Sequence, residues 1–118
     1  MKDIAIYGFG GFGREIASII VSLNSISPEW NIVGFFDDGV TAGTANKYGT
    51  VLGGMEALNS RTTALNVVFA IASPVIVQKL VLAITNPKIS FPTILAPTVL
   101  FFDKETFRCG KGNVLCHN

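Results

Sequence analysis

Apolar positions recur along most of this chain with two alternating periods, and that alternation predicts the secondary structure. Lys2 to Tyr7 ends in an apolar run, Ile4-Ala5-Ile6-Tyr7, of strand length. From about Gly11 to Leu23 the spacing changes. Ile16, Ile19, Ile20 and Leu23 fall at i, i+3, i+4 and i+7, which is one face of a helix. Asn24-Ser25 and Ser27-Pro28 end it. A second strand is predicted from Asn31 to Phe36. Its unbroken apolar pieces, Ile32-Val33 and Phe35-Phe36, fit a strand covered on both faces. Asp37-Asp38-Gly39 closes it as a turn.

The stretch from Asp38 to Thr50 is rich in Gly, Thr, Ala and Asn and has no period, so it reads as a loop or a hairpin. Val51-Leu52 makes a short third strand, and Gly53 to Asn59 a short helix through Met55 and Leu58. The fourth strand is predicted from Leu65 to Ala72, with Val67-Val68-Phe69-Ala70-Ile71 at its centre. Ser73-Pro74 reads as the N-cap and first residue of another helix. Val77, Leu80, Val81 and Ile84 form that helix's apolar face, and Asn86-Pro87 stops it. A fifth strand follows at about Ile89 to Leu95.

Strands alternating with helices predict an α/β fold, a parallel sheet with helices on both faces. Right-handed crossovers and a glycine turn after the first strand predict the Rossmann-like order 3-2-1-4-5. In that order a crevice opens between strands one and four at their carboxyl ends. Gly8–Gly13, Asp37–Asp38 and Ala72–Ser73 all fall at that edge.

The turn itself, Gly8-Phe9-Gly10-Gly11-Phe12-Gly13, has G-x-G-x-x-G spacing with one additional glycine. Gly8 lets the chain leave the strand through a conformation that a side chain forbids. Gly10 removes the Cβ that would keep phosphates off the backbone, and Gly13 lets the helix lie close to the sheet. The free N–H groups of the helix and its dipole then favour an anion in the turn. A phosphorylated ligand is the functional reading; a glycine turn that only permits tight packing is the alternative.

Composition narrows the picture. The chain has 118 residues, a length that suits one domain, and a formal net charge of +1. The isoelectric point near 7.8 gives no reason to expect nucleic acid or an anionic membrane as partner. No apolar run approaches the ~18 residues of a membrane span, and glycines interrupt the N-terminus where a signal peptide needs an apolar core. A cytoplasmic location is expected. Only 14% of residues are charged and the mean hydropathy is +0.50, which points to an oligomer or to a neighbouring domain that covers surface. Two cysteines, Cys109 and Cys116, make neither a disulfide framework nor a metal-ligand pattern. No metal site is expected.

From Pro97 to Asn118 the helical period is lost. Short apolar pieces alternate with Gly, Asp and Lys, and Cys109 to Val114 fits one hexapeptide unit of a left-handed parallel β-helix, restarted at Leu115. Such a coil needs about three repeats to bury a core. The chain therefore divides into residues 1–96, a Rossmann-like domain, and residues 97–118, the start of a β-helix.

With these pieces in place a family resemblance emerges. Lys2–Glu15, then Gly34-Phe35-Phe36-Asp37-Asp38, Val51-Leu52-Gly53-Gly54, Ala70-Ile71-Ala72-Ser73 and Gly110-Lys111-Gly112-Asn113 follow one another in a characteristic order. The whole chain resembles the opening of the bacterial sugar acyltransferases of the sialic-acid O-acetyltransferase and bacillosamine N-acetyltransferase type. The resemblance implies an N-terminal domain that holds a nucleotide-linked, UDP-sugar-like substrate for surface-glycan biosynthesis. It also implies a C-terminal β-helix that binds acetyl-CoA as donor, trimerises and carries the catalytic histidine. This chain is similar to the first part. The resemblance places a His-Pro pair where Ala96-Pro97 stands here, and the only histidine, His117, lies past the hexapeptide unit. The chain by itself is expected to bind rather than to catalyse, with no cofactor of its own and a trimer only if the full β-helix is present.

The residues expected at the ligand are Gly8, Gly10, Gly11, Phe12, Gly13, Arg14, Asp37, Asp38 and Ser73, and no catalytic residue is assigned. Asp37 and Asp38 either accept hydrogen bonds from a ribose or base edge or simply build an Asp-Asp-Gly turn. Arg14, a cation in a helix's first turn, either meets an anionic ligand or extends into solvent. Ser73 caps its helix and faces the crevice. Phe9 and Phe12 either wall the pocket or pack on the sheet edge. Two other functions compete: an NAD(P)-binding domain of an oxidoreductase, which Gly8–Gly13 with Asp37 also suits, and a non-binding interaction module.

Overall fold

Ile4, Ala5, Ile6 and Tyr7 are all buried, so the first strand has no solvent face, and the sheet grows outward from it. A computed structural model describes residues 1–92 and the backbone of two further short strands. The elements run β1 (Lys2–Tyr7), α1 (Gly11–Ile26), β2 (Trp30–Phe36), β3 (Ala45–Asn46), β4 (Gly49–Gly53), α2 (Met55–Asn59), β5 (Leu65–Phe69), α3 (Pro74–Ala83), β6 (Ile89–Ser90), β7 (Ile94–Leu95) and β8 (Val114–Leu115).

The main sheet has the order β3-β4-β2-β1-β5-β6. Its five parallel strands, β4-β2-β1-β5-β6, reproduce the expected order 3-2-1-4-5. The addition is β3, which pairs antiparallel with β4 through Ala45↔Thr50 and Asn46↔Gly49 and makes the loop before β4 a hairpin. Asn46 builds its turn, with Oδ1 accepting the N–H groups of Tyr48 and Gly49.

Successive side chains of a strand point to opposite faces, and the sheet uses both. Ile4, Ile6, Phe35, Val51 and Val68 pack with Ile16, Ala17 and Ile20 of α1 on one side. Ala5, Tyr7, Phe36, Val67 and Phe69 pack on the other with Leu58 of α2, and Val77, Leu80, Val81 and Ile84 close over them. The predicted apolar faces of both long helices are the ones that meet the sheet. Each fully buried branched side chain of this kind contributes about 1.5–3 kcal/mol relative to exposure.

Three boundaries move. Helix α1 runs to Ile26, past the expected end at Leu23, because Asn24 bonds not to its own helix but to the backbone of Glu29 and Trp30, and Ser27 N–H still reaches Leu23 O. Strand β5 ends at Phe69 rather than Ala72, and the expected fifth strand is divided into β6 and β7. Strands β7 and β8 pair in parallel, Ile94↔Val114 and Leu95↔Leu115. The hexapeptide unit expected from Cys109 to Val114, and the β-helix domain expected over 97–118, lie outside the described residues apart from the backbone of β8. His117, Cys109 and Cys116 lie outside them as well. Among the described residues, no helix is long and apolar enough to cross a membrane.

Candidate functional site

At the carboxyl edge of the sheet a cleft of about 430 Å³ opens between the ends of β1 and β5. That size accommodates a ligand of drug-like dimensions. Its lining comes from the β1 end and the glycine turn (Tyr7, Gly8, Phe9, Gly10), from the β2 end (Asp37, Asp38), and from Ala70, Ile71, Ile76 and Leu80. One wall is therefore polar and acidic and the other is branched aliphatic.

The turn is shaped by backbone crowding. Gly8 has φ +118°, and a Cβ there would stand 2.8 Å from the Ala70 carbonyl oxygen, so β1 and β5 approach too closely for a side chain. Gly10 is the N-cap of α1, and among the described residues a Cβ on it would meet nothing within 4 Å. The helix starts with neither a capping side chain nor an acidic residue in its first turn. Its first N–H groups therefore lack the partners that usually satisfy them.

Both aspartates have partners inside the chain. Asp37 Oδ2 accepts the Phe9 N–H at 3.0 Å and Oδ1 accepts the Gly39 N–H at 2.9 Å, so this carboxylate ties the glycine turn to the end of β2. Asp38 Oδ1 accepts the Met55 N–H at 2.9 Å at the start of α2. Its Oδ2 accepts the Tyr7 hydroxyl proton. Burial first, then the bond to Asp38 and the charges of Asp38 and Asp37, push the Tyr7 phenol well above its usual range. Both aspartates therefore build the turn, and these bonds leave part of the roughly four lone-pair positions of each carboxylate unused.

The other expected residues separate. Gly13 is buried under the turn, and Gly11 is exposed. Arg14 is exposed, with its guanidinium beside Gly11, 3.7 Å from where a Cβ would stand. Phe9 lines the cleft and also packs edge-on against Phe35 at 5.3 Å, whereas Phe12 packs against the core. Ser73 does not belong to the cleft lining. Its Oγ accepts the Ile76 N–H at 3.3 Å and caps α3. Ser73→Ala is expected to cost about 1 kcal/mol, a melting temperature several degrees lower. A thermal melt of the ligand-free chain checks it.

Sequence reasoning missed Tyr7, Ile76 and Leu80. Tyr7 pairs with Phe36 in parallel register, and Asp38 lies two positions past Phe36 on the same side of the ribbon, which places a phenol beside a carboxylate. Chemically, the cleft offers carboxylate and phenol oxygens on one wall and an apolar surface on the other, with the N-cap of α1 at its edge.

Comparison with known proteins bears on the family and the fold. The family described as the PglD N-terminal domain matches residues 3–84, well over half of the chain. No curated protein matches. Among solved structures, the fold is similar to the acetyltransferase domain of PglB from Neisseria gonorrhoeae FA1090 in complex with acetyl coenzyme A, with a TM-score of 0.63 and 25% identity. The similarity covers 81% of this chain and 44% of that one, so the chain spans less than half of that structure's length.

Proposed function

Because this chain belongs to the PglD N-terminal domain family, we propose that its cleft binds a nucleotide-linked sugar, as the substrate-holding part of a sugar acyltransferase whose donor is acetyl-CoA. The observation that carries the reading is the start of α1. An uncapped helix N-terminus adjoins the cleft at Gly10, and among the described residues nothing lies within 4 Å of where a Gly10 Cβ would stand. A diphosphate there accepts the free N–H groups and meets the positive end of the helix dipole.

The remaining contacts follow from the lining. Arg14, beside Gly11, is within reach of a phosphate at the mouth. Gly8 and Gly13 hold the turn open, with Gly11 and Phe12 supplying its first helical N–H groups. Asp37 and Asp38 accept hydroxyl or N–H groups from the nucleoside, and Ile71, Ile76 and Leu80 cover a flat or apolar ring face. Ser73 fixes the start of α3, from which Ile76 and Leu80 project. In this arrangement the chain binds and orients an acceptor, and acyl transfer takes place on the acetyl-CoA-binding part of the larger enzyme.

Thermal scans with UDP, a UDP-amino-sugar, CMP-sialic acid and NAD test the reading. Ligand at a hundred times its dissociation constant stabilises the fold by about 2.7 kcal/mol, roughly a 10 °C rise for a domain of this size. The expected result is a rise with a sugar nucleotide that exceeds the rise with NAD. A rise with NAD alone replaces this reading by the oxidoreductase domain. A folded sample that responds to none replaces it by an interaction module.

A further inference from the structure

Tyr7 is the one polar side chain of the cleft that rises from the core itself. It is 3% exposed, and its ring lies against Phe36 at 6.4 Å and Phe69 at 5.9 Å between centroids, so its position is set by packing. Tyr7 lines the cleft, and its single hydroxyl proton is committed to Asp38 Oδ2. What the phenol oxygen still offers is lone pairs.

The neighbouring groups are committed in the same sense. Asp38 is held on its other oxygen by the Met55 N–H, and it lies so close to Gly54 that a Cβ there would overlap Oδ1. Asp37 takes up the Phe9 N–H, the backbone donor of the glycine turn nearest this edge, and the Gly39 N–H. Among the described residues, no lysine, arginine or histidine lines the cleft. Among the described residues, the one side-chain donor at this edge, the Tyr7 hydroxyl, is already used within the chain, and the side chains offer only acceptors.

We infer that Tyr7 is a positioning residue of the cleft: by donating to Asp38 it fixes that carboxylate and leaves Tyr7, Asp37 and Asp38 as an edge whose side chains only accept hydrogen bonds. The ligand part that lies there must present N–H or O–H groups. This rests on the nucleotide-sugar reading and assigns the acidic edge to the nucleoside rather than to the phosphates. A phosphate or carboxylate at the same place meets two carboxylates and, among the described residues, no side-chain donor that is free. The phenol's raised pKa, caused first by burial, keeps its proton in place throughout the neutral range.

Titration of the full chain by calorimetry with UDP, N3-methyl-UDP and 2′-deoxy-UDP tests the inference, because each analogue lacks one donor. The wild-type chain is expected to prefer UDP to at least one analogue by about tenfold, the effect of one hydrogen bond to a charged group. Loss with the methylated base assigns the contact to the imide N–H, and loss with the deoxy sugar assigns it to the ribose. In Tyr7→Phe that preference is expected to shrink to about twofold, while affinity for the discriminated analogue stays nearly unchanged. A role in folding alone would weaken all three ligands by one factor, and that outcome overturns the inference. So does a wild-type chain that binds UDP without preference, or one that binds none of the three; the scan with complete sugar nucleotides decides the broader reading separately. Should Tyr7→Phe not fold, Asp38→Asn, which exchanges one acceptor for a donor in the same shape, is expected to abolish the preference, and an unchanged preference overturns the inference.

Discussion

Gly13→Ala is expected to destabilise the fold by roughly 3 kcal/mol or more, because the added methyl has no place to go. A Cβ at Gly13 would overlap the Gly8 carbonyl oxygen, and it would also reach within 3.6 Å of the Phe35 ring. The oxygen belongs to the backbone at the end of β1, where Gly8 N–H is bonded to Phe36 O at 2.8 Å and Ala70 N–H to Tyr7 O at 2.8 Å. It moves only if the first turn of α1 lifts off the sheet. That displacement would open the contacts of Ile16, Ala17 and Ile20, which are completely buried against β1 and β2. Set against a total stability of about 5–15 kcal/mol for a natural domain, the loss is large. Chemical denaturation should show a lower midpoint, with a fall in melting temperature of roughly 10 °C or more. Gly11→Ala is the matched control. Gly11 is exposed at the first helical position, and a Cβ there meets only the flexible Arg14 guanidinium at 3.7 Å. The same methyl two residues earlier should leave stability unchanged or raise it by up to about 1 kcal/mol through helix propensity. Equal effects at the two positions would show that helix–sheet packing is not what Gly13 serves.

The helical periods and the glycine turn were legible because each rests on a local rule: a 3.6-residue stripe, a strand buried on both faces, a backbone that excludes side chains. The order of the five parallel strands followed from the handedness of the crossovers. The end of β5 was not legible. Ala70 and Ile71 leave the sheet yet line the cleft, and an apolar cleft wall has the same composition as an apolar strand. Helix α3 shows the same ambiguity. Its stripe through Val77, Leu80, Val81 and Ile84 identified the core face, while Ile76, half exposed, belongs to the cleft. An apolar residue outside the stripe was the available signal. Asp37 and Asp38 were found by type and position. Their actual partners, Phe9 N–H, Gly39 N–H, Met55 N–H and the Tyr7 hydroxyl, come from four places in the chain and depend on strand register. Ser73 was read as a cap because the serine-proline pair is itself a local signal, and the hydrogen bond to Ile76 N–H fulfils it.

Gly10→Val is expected to separate binding from folding, with the stability kept and the ligand response lost. The backbone at Gly10 is extended, with a negative φ of −67° and ψ −157°, and among the described residues a Cβ there meets nothing within 4 Å. Exchange of glycine for valine at an N-cap costs about 1 kcal/mol, since valine is a poor cap. The two added methyl groups project into the space over the uncapped N–H groups of α1, where a ligand phosphate would have to lie. A phosphate must approach those N–H groups to about 2.9 Å to be bound by them, and a branched side chain at the N-cap keeps it farther away. The rise of roughly 10 °C expected from a saturating sugar nucleotide should therefore disappear, while the ligand-free melting temperature falls by only a few degrees. Gly10→Ala should fall between, because a single methyl narrows the approach without closing it. The comparison with Gly13→Ala makes the pair informative. Both glycines belong to one six-residue turn, but one is filled by the protein's own backbone and the other faces open space. If Gly10→Val folds and still gives the full ligand-induced rise, the phosphates do not lie at the start of α1, and the binding site must be sought elsewhere on the chain.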